Sequence, residues 1–248
     1  MFSLATDAAP GRSNEDFVLA TTDLAVVVDG AGPGDDCAHG VSWYARQLAA
    51  QTMSALIAEP DLSLADGLAR GIHAVARLHI YSCNLSSAET PRASVGILRI
   101  GTESVDTLTL GGCTVVVDTD AGPQITSDHR AGAPAAASDP KIVASGALCN
   151  SYPYTWVRRA AVLSDGASWL VDQASGYDWP LYLDLLDQHG PAGLIQHVRS
   201  VEDSDPTGTQ YHRAELQDDA SIAHAVLTGR SHRSTGPDSP LDLSRTES

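Results

Sequence analysis

The spacing of apolar positions changes period several times along the chain. Leu24-Ala25-Val26-Val27-Val28 is an unbroken apolar run rich in valine, the pattern of a buried strand, and it ends in Asp29-Gly30. Residues 17–21 are expected to pair with it as a hairpin across Thr22-Asp23. From Val41 the period becomes helical. Val41, Tyr44, Leu48, Thr52, Ala55 and Leu56 share one face, and Pro60 ends the run. A second helix is predicted over about 63–82, with Leu64, Leu68, Ile72, Val75, Ala76 and His79 along its stripe. Four short apolar or alternating runs then follow at 93–100, 104–110, 114–119 and 123–126, separated by glycine-containing turns. Ala160-Ala161-Val162-Leu163-Ser164-Asp165-Gly166 repeats the strand–Asp–Gly construction. Helices are predicted at 179–188 and 191–202, with Pro180 and Pro191 near first-turn positions, and a last strand at 220–227 follows Asp218-Asp219. Residues 1–13 and 131–139 read as irregular, and 229–248, with almost nothing to bury, as a disordered tail. Two long helices, a β-meander, a strand, further helices and a final strand predict an α+β fold, not a regularly alternating sheet.

Composition narrows the function classes. With 43% hydrophobic and 19% charged residues in 248, the chain has globular character and is long enough for one large domain. No apolar run reaches the ~18–20 residues that span a bilayer. Residues 1–10 have neither a cationic start nor an apolar core, so no secretory signal is expected and a cytoplasmic location is the default. Net charge is −16, from 31 acids against 15 bases, which disfavours nonspecific binding to nucleic acid or to an anionic membrane. An anionic substrate stays possible where a metal and a local arginine reverse the field. The four cysteines, Cys37, Cys83, Cys113 and Cys149, form no CxxC pair, so reduced thiols are expected and structural zinc is not. Composition leaves the oligomeric state open.

The candidate chemistry lies in the acids at strand ends. Asp29, Asp165 and Asp218 could converge at one rim of a sheet, where hard oxygen ligands with an Asp-Gly carbonyl nearby suit Mg²⁺ or Mn²⁺. Alternation along 218–227 places Asp218 on the face with the bulkier aliphatics, which selects it over Asp219 as the inward acid. The competing reading is that both Asp-Gly pairs are turn dipeptides. His39 reads as an incidental loop residue, His73 and His79 as packing or surface residues, and His129 as a structural hydrogen-bonding group. Trp43, Tyr44 and Trp156 read as core or interface aromatics. Asp35-Asp36 lacks EF-hand spacing, and no calcium site is expected there.

Gly11-Arg12-Ser13-Asn14-Glu15-Asp16-Phe17 adds a second kind of observation. With this block the chain resembles the metal-dependent protein phosphatase family (PPM, the type-2C Ser/Thr phosphatases) over about residues 8–228. Arg12 with Asn14-Glu15-Asp16 is similar to the family's opening block, Val26-Val27-Val28-Asp29-Gly30 to its first Asp-Gly, and Ala93-Ser94-Val95 to its small-residue strand. Leu110-Gly111-Gly112-Cys113 falls where the family has Gly-Asp-Ser, and Thr126-Ser127-Asp128-His129 resembles its Thr-x-Asp-His. Leu163-Ser164-Asp165-Gly166 and Asp218-Asp219-Ala220-Ser221 match its last two blocks.

The resemblance implies a four-layer α/β/β/α sandwich of two antiparallel sheets over residues 1–228, followed by the tail. It implies two Mn²⁺ or Mg²⁺ ions per chain: Asp29 bridging, the Gly30 carbonyl serving one ion, Asp165 and Asp218 the other, and Glu15 and Asp16 acting through waters. Such ions, ~3.5–4 Å apart, activate water for in-line attack on phosphorus. Arg12 would clamp the phosphate with a bidentate fork. The implied activity is hydrolysis of phosphomonoesters, with a phosphoserine or phosphothreonine protein or peptide as substrate. Gly112 and Trp169 stand where relatives carry acids for a third metal, so no third site is expected. Ala31 stands where some relatives place a proton-donating histidine, so protonation of the leaving group would fall to water. These departures also suit an alternative, a catalytically weak phosphatase-like regulatory or binding module.

Overall fold

A computed structural model describes residues 1–227 apart from 34–36, 88, 131, 175, 212 and 214. Three strands come first, β1 (Phe2–Asp7), β2 (Phe17–Ala20) and β3 (Leu24–Ala31). The helices α1 (Val41–Ala58) and α2 (Leu64–His79) follow, then β4 (Arg92–Ile100), β5 (Ser104–Leu110), β6 (Thr114–Thr119) and β7 (Gly122–Thr126). The remainder is α3 (Lys141–Gly146), β8 (Leu148–Pro153), β9 (Val157–Leu163), α4 (Asp165–Gln173), α5 (Trp179–Ser204) and β10 (Ala220–Val226). The strands form two five-stranded antiparallel sheets, ordered β2-β3-β4-β5-β8 and β1-β10-β9-β6-β7.

Side-chain alternation makes this a four-layer sandwich. Leu24, Val26 and Val28 of β3 point to α1 and α2, where they meet Tyr44, Leu48, Leu68 and Ile72. Ala25 and Val27 of the same strand point to the other sheet and join Val115, Val162 and Ala223 between the layers. In the second sheet Ala161, Leu163 and Ile222 point outward to Leu170, Tyr182, Leu183 and Leu194 of α4 and α5. A continuous apolar run at β3 is thus the signature of a strand covered on both faces. Among the described residues no helix is long and apolar enough to cross a membrane.

The structure corrects the sequence reading at some points and extends it at others. Residues 1–13 are not irregular throughout, because β1 pairs with β10 along its whole length, Phe2 opposite Ala225 and Asp7 opposite Ala220. The segment 141–153, for which the apolar pattern predicts no element, holds α3 and an exposed edge strand, β8. A helix, α4, starts directly at Asp165, where a turn was the competing reading. The helices predicted at 179–188 and 191–202 are both present: they follow one another in α5 and are separated by Gly190, whose φ of 67° and ψ of 174° are not helical, just before Pro191. The predicted tail at 229–248 and the Asp35-Asp36 pair lie outside the described residues.

The two sheets approach closely at Gly96 of β4. A Cβ there would lie 2.3 Å from Val162 Cγ1 on β9 and 3.4 Å from Cys113 Cβ. Gly96→Ala is therefore expected to overpack the sandwich and to cost about 1–3 kcal/mol. Urea denaturation measures this, and an unchanged midpoint would contradict the close packing of the layers at this point.

Candidate metal centre at the rim of the sandwich

The acids converge where strands from both sheets end side by side. Asp29 lies near the end of β3, opposite Ser94 of β4. Asp165 follows β9 as the first residue of α4. The Asp165 backbone N–H reaches Asp29 Oδ2 at 3.5 Å, a long contact that joins the two sheets at this rim. Ser164 fixes the end of β9. Its N–H donates to the Ser221 carbonyl at 3.0 Å, and its hydroxyl accepts from the Ser221 N–H at 2.9 Å.

Neither Asp-Gly glycine has a positive φ, so neither is required by a turn. Both are required by close approach. A Cβ at Gly30 would lie 2.4 Å from the Glu15 carbonyl oxygen and 2.6 Å from Val41 Cγ1. A Cβ at Gly166 would lie 2.1 Å from the Asp219 carbonyl oxygen and 3.1 Å from Asp218 Cβ. The glycines therefore let the segments carrying Glu15 and Asp218-Asp219 press against the two aspartate-bearing strand ends.

The electrostatics record this crowding. Burial pushes the Asp29 carboxyl well above the ordinary carboxylate range, and the charges of Asp165, Asp16 and Asp218 raise it further. Asp16 is pushed up to about 8, chiefly by burial and also by Asp219 and Asp165, with the neighbouring Ser164 and Ser221 side chains opposing the rise. One Asp16 oxygen, Oδ2, is buried without a hydrogen-bond partner among the described residues. Burial and the neighbouring Asp165 push Asp218 to about 6. Burial raises Glu15 as well, with Asp219 adding and Arg12 opposing.

The adjacent aspartates divide their roles. Asp219 is 7% exposed, and its oxygens accept the backbone N–H groups of Ala9 at 2.7 Å and Glu15 at 2.6 Å. It clamps the Arg12-bearing loop to the sheet. Asp218 instead borders Asp165, Gly166 and Glu215 in a small recess of about 70 Å³. The alternation that selected Asp218 does not hold as argued. The pair precedes β10, the bulkier Ile222 faces the outer helices, and the face toward the other sheet carries Ala223 and Ala225. Arg12 lies at the edge of the same site, half-exposed and paired with Glu215 Oε2 at 2.5 Å.

Beside Asp165 opens a cleft of about 620 Å³ lined by Ser94, Gly112, His129, Trp169 and Asp172, among others. His129 Nε2 lies 3.1 Å from Thr114 Oγ1 and 3.5 Å from Asp172 Oδ2. Gly112 adjoins the acids, since a Cβ there would lie 3.8 Å from Asp165 Oδ2, an ordinary contact. Trp169 is packed against α5 and donates its indole N–H to Glu202 Oε1 at 3.1 Å, with the Arg213 guanidinium over its ring at 4.9 Å. Cys113 is fully buried behind the carboxylates, and burial together with Asp29, Asp16 and Asp165 pushes its thiol well up. It is an inert packing group.

The structure thus gathers Asp16, Asp29, Asp165 and Asp218 in one electrostatic cluster, with Glu15 and Gly30 in contact and Arg12 at the edge. Sequence reasoning missed the clamp by Asp219, the Arg12 partner Glu215 and the cleft acid Asp172. Only Asp172 had a local signal: it follows Asp165 by two helical turns and so shares its face. Zinc was not expected from the cysteine spacing, yet Cys37 and Cys83, distant in sequence, have sulfurs 3.2 Å apart beside His39 and His79.

The amino-acid sequence matches no protein-family model and, at a significant level, no curated protein. Solved structures do match. The catalytic domain of the serine/threonine protein phosphatase PstP, in complex with 2 manganese ions, superposes with a TM-score of 0.63 at 15% identity, over 91% of this chain and 97% of that one. Serine/threonine phosphatase Stp1 from Staphylococcus aureus gives 0.66 at 15% identity, over 92% and 95%. The PPM Ser-Thr phosphatase MsPP from Mycobacterium smegmatis, in complex with cacodylate, gives 0.59 at 16% identity, over 90% and 97%. With these similarities spanning nine-tenths of the chain, the protein has the fold of the PPM-type Ser/Thr phosphatases.

Proposed function

We propose that the protein is a metal-dependent phosphomonoester hydrolase of the PPM type, acting on phosphoserine or phosphothreonine in proteins. The observation that carries this reading is the crowding of Asp16, Asp29, Asp165 and Asp218 at the rim, with a buried Asp16 oxygen left without a partner among the described residues. Carboxylates whose proton affinity is raised by burial and by one another lack a counter-charge among the described residues, and hard divalent cations would supply one. The donor set therefore fits two Mn²⁺ or Mg²⁺ ions, which Asp29, Gly30, Asp165 and Asp218 would hold, with Glu15 and Asp16 acting through waters. When bound, such ions polarise a phosphoryl oxygen and bring the pKa of water toward neutrality.

The chain's own residues supply position and charge. Arg12 meets Glu215 only in a half-exposed ion pair, a contact worth ~0–1 kcal/mol, so its guanidinium is available to exchange that carboxylate for a phosphate. Asp219 holds the Arg12 loop through two backbone hydrogen bonds and so keeps Arg12 and Glu15 beside the cluster. The cleft beyond Asp165 is open enough for a peptide side chain to present its phosphate. Water attacks phosphorus in line, the bond to the serine or threonine oxygen breaks, and inorganic phosphate and the free hydroxyl leave.

A second reading, a phosphatase-like module with weak catalysis, draws on Gly112 and Trp169. The first supplies no carboxylate beside Asp165, and the second fills with packed indole the place where relatives carry an acid. Such a module would keep the fold without turnover.

Manganese-dependent hydrolysis of a phosphothreonine peptide separates the two. The enzyme reading expects turnover that falls at least about a hundredfold in Asp29→Asn and Asp165→Asn, with circular dichroism unchanged. Full activity in both variants would refute these ligands, and no activity in the wild type would favour the module.

The raised carboxyl groups also set a pH dependence. The folded state binds more protons than the unfolded state between the ordinary aspartate value near 4 and the value of about 8 at Asp16. Stability of the chelated protein should therefore fall as pH rises through this window. Melting temperatures in chelator are expected to decline from pH 5 to pH 8, less steeply in Asp16→Asn, and Mn²⁺ is expected to abolish the decline. A flat profile in chelator would contradict the crowding.

A further inference from the structure

Away from the acidic rim, two short pairs of metal-ligating side chains meet. Cys37 and His39 belong to the connection between β3 and α1, His79 is the last residue of α2, and Cys83 follows one turn later. Their donor atoms, two sulfurs and two ring nitrogens, all lie within 4.8 Å of one another. Cys37 Sγ is 3.6 Å from His79 Nδ1 and 3.8 Å from His39 Nδ1, and Cys83 Sγ is 3.4 Å from His39 Nδ1. A tetrahedral zinc with Zn–S of ~2.3 Å and Zn–N of ~2.0–2.1 Å requires sulfur–nitrogen separations of ~3.6 Å, the mean of these three. The sulfurs are 3.2 Å apart, closer than the ~3.8 Å of an ideal zinc tetrahedron and far longer than the ~2.05 Å of a disulfide.

The surroundings hold these groups in place. The His39 ring stacks on Trp43 with centroids 4.2 Å apart and planes 24° from parallel, and Trp43 also packs against His79 at 5.2 Å. His79 and Cys37 are buried, 1% and 7% exposed. The N–H groups of Ser82 and Cys83 both donate to the His79 carbonyl, at 3.1 and 3.0 Å, which fixes the turn that brings Cys83 back beside His79. The C-terminal end of α2, whose dipole favours positive charge, also lies here.

We propose that Cys37, His39, His79 and Cys83 form a Cys₂His₂ site for one structural Zn²⁺. Two thiolates and two imidazoles suit zinc, whereas the acidic rim suits harder ions, so the centres sort metals by ligand type. The segment with Cys37 and His39 leaves the sheet a few residues after Asp29-Gly30 and leads into Val41, which touches Gly30. A zinc ion here ties that segment to the end of α2 and braces one flank of the rim.

The test uses the full chain, purified without chelator, with zinc quantified by mass spectrometry and then replaced by Co²⁺. One zinc per chain is expected, and the cobalt form should show thiolate-to-metal charge transfer and the visible bands of tetrahedral Co²⁺. These signals should disappear in Cys37→Ser and Cys83→Ser and persist in Cys149→Ser. They should also persist in Asp29→Asn, which separates this site from the acidic rim. Should the cysteine variants fail to fold, His39→Asn, altered at an exposed position, should change the visible bands and release zinc faster to a chromogenic chelator. Zinc-free protein lighter by two hydrogens, showing a Cys37–Cys83 disulfide, would overturn the proposal. So would cobalt spectra that Cys83→Ser or His39→Asn leaves unchanged.

Discussion

Burial of carboxylates that also crowd one another at one rim is the constraint on which the site depends. Asp29 and Asp165 come from strand ends in opposite sheets, and Asp16 and Asp218 come from the segments packed against them. Removing such anions from water without a counter-charge costs several kcal/mol per ion, and the raised proton affinities of Asp16, Asp29 and Asp218 express that cost. Groups shifted this way by burial and by one another cluster at functional sites. The apolar layers on either side, continuous from α1 and α2 through both sheets to α4 and α5, hold the acids where the chain alone would separate them.

Small residues make the convergence possible. Gly30 and Gly166 allow the Glu15 and Asp219 carbonyls to pass within a distance that no Cβ would permit, and Gly96 allows the sheets to close behind them. Asp219 turns one acid of an adjacent pair into a backbone clamp and leaves the other, Asp218, for the recess. A segment with no regular structure, the loop at Arg12, is thereby positioned by two hydrogen bonds to a buried side chain.

Much of the fold was legible because its covered strands and amphipathic helices carry strong periods. β3, α1 and α2 follow directly from their apolar positions. The misses lie where burial leaves a weak imprint. β1 and β8 are edge strands with mostly exposed side chains, and their pairing partners are distant in sequence. α4 was hidden by Asp165-Gly166, a pair that suggests a turn and here opens a helix after Ser164. The acids at Asp29 and Asp165 were legible from two like motifs, and Arg12, Glu15 and Asp16 from family resemblance. Asp219 as clamp and Glu215 as partner of Arg12 were not, since each acts through a contact across about two hundred residues. The Cys37–His39–His79–Cys83 cluster was invisible for the same reason: its two halves meet only after α1 and α2 have packed.

Under the proposed function, the clustered carboxylates would hold a pair of divalent cations. Titration of the metal-free protein with Mn²⁺, followed by electron paramagnetic resonance, tests it most directly. Two ions per chain with an exchange-coupled spectrum, lost when Asp29 is replaced by asparagine, is the result this account predicts. Absence of saturable binding, or a spectrum of isolated ions that the replacement leaves unaltered, would contradict it.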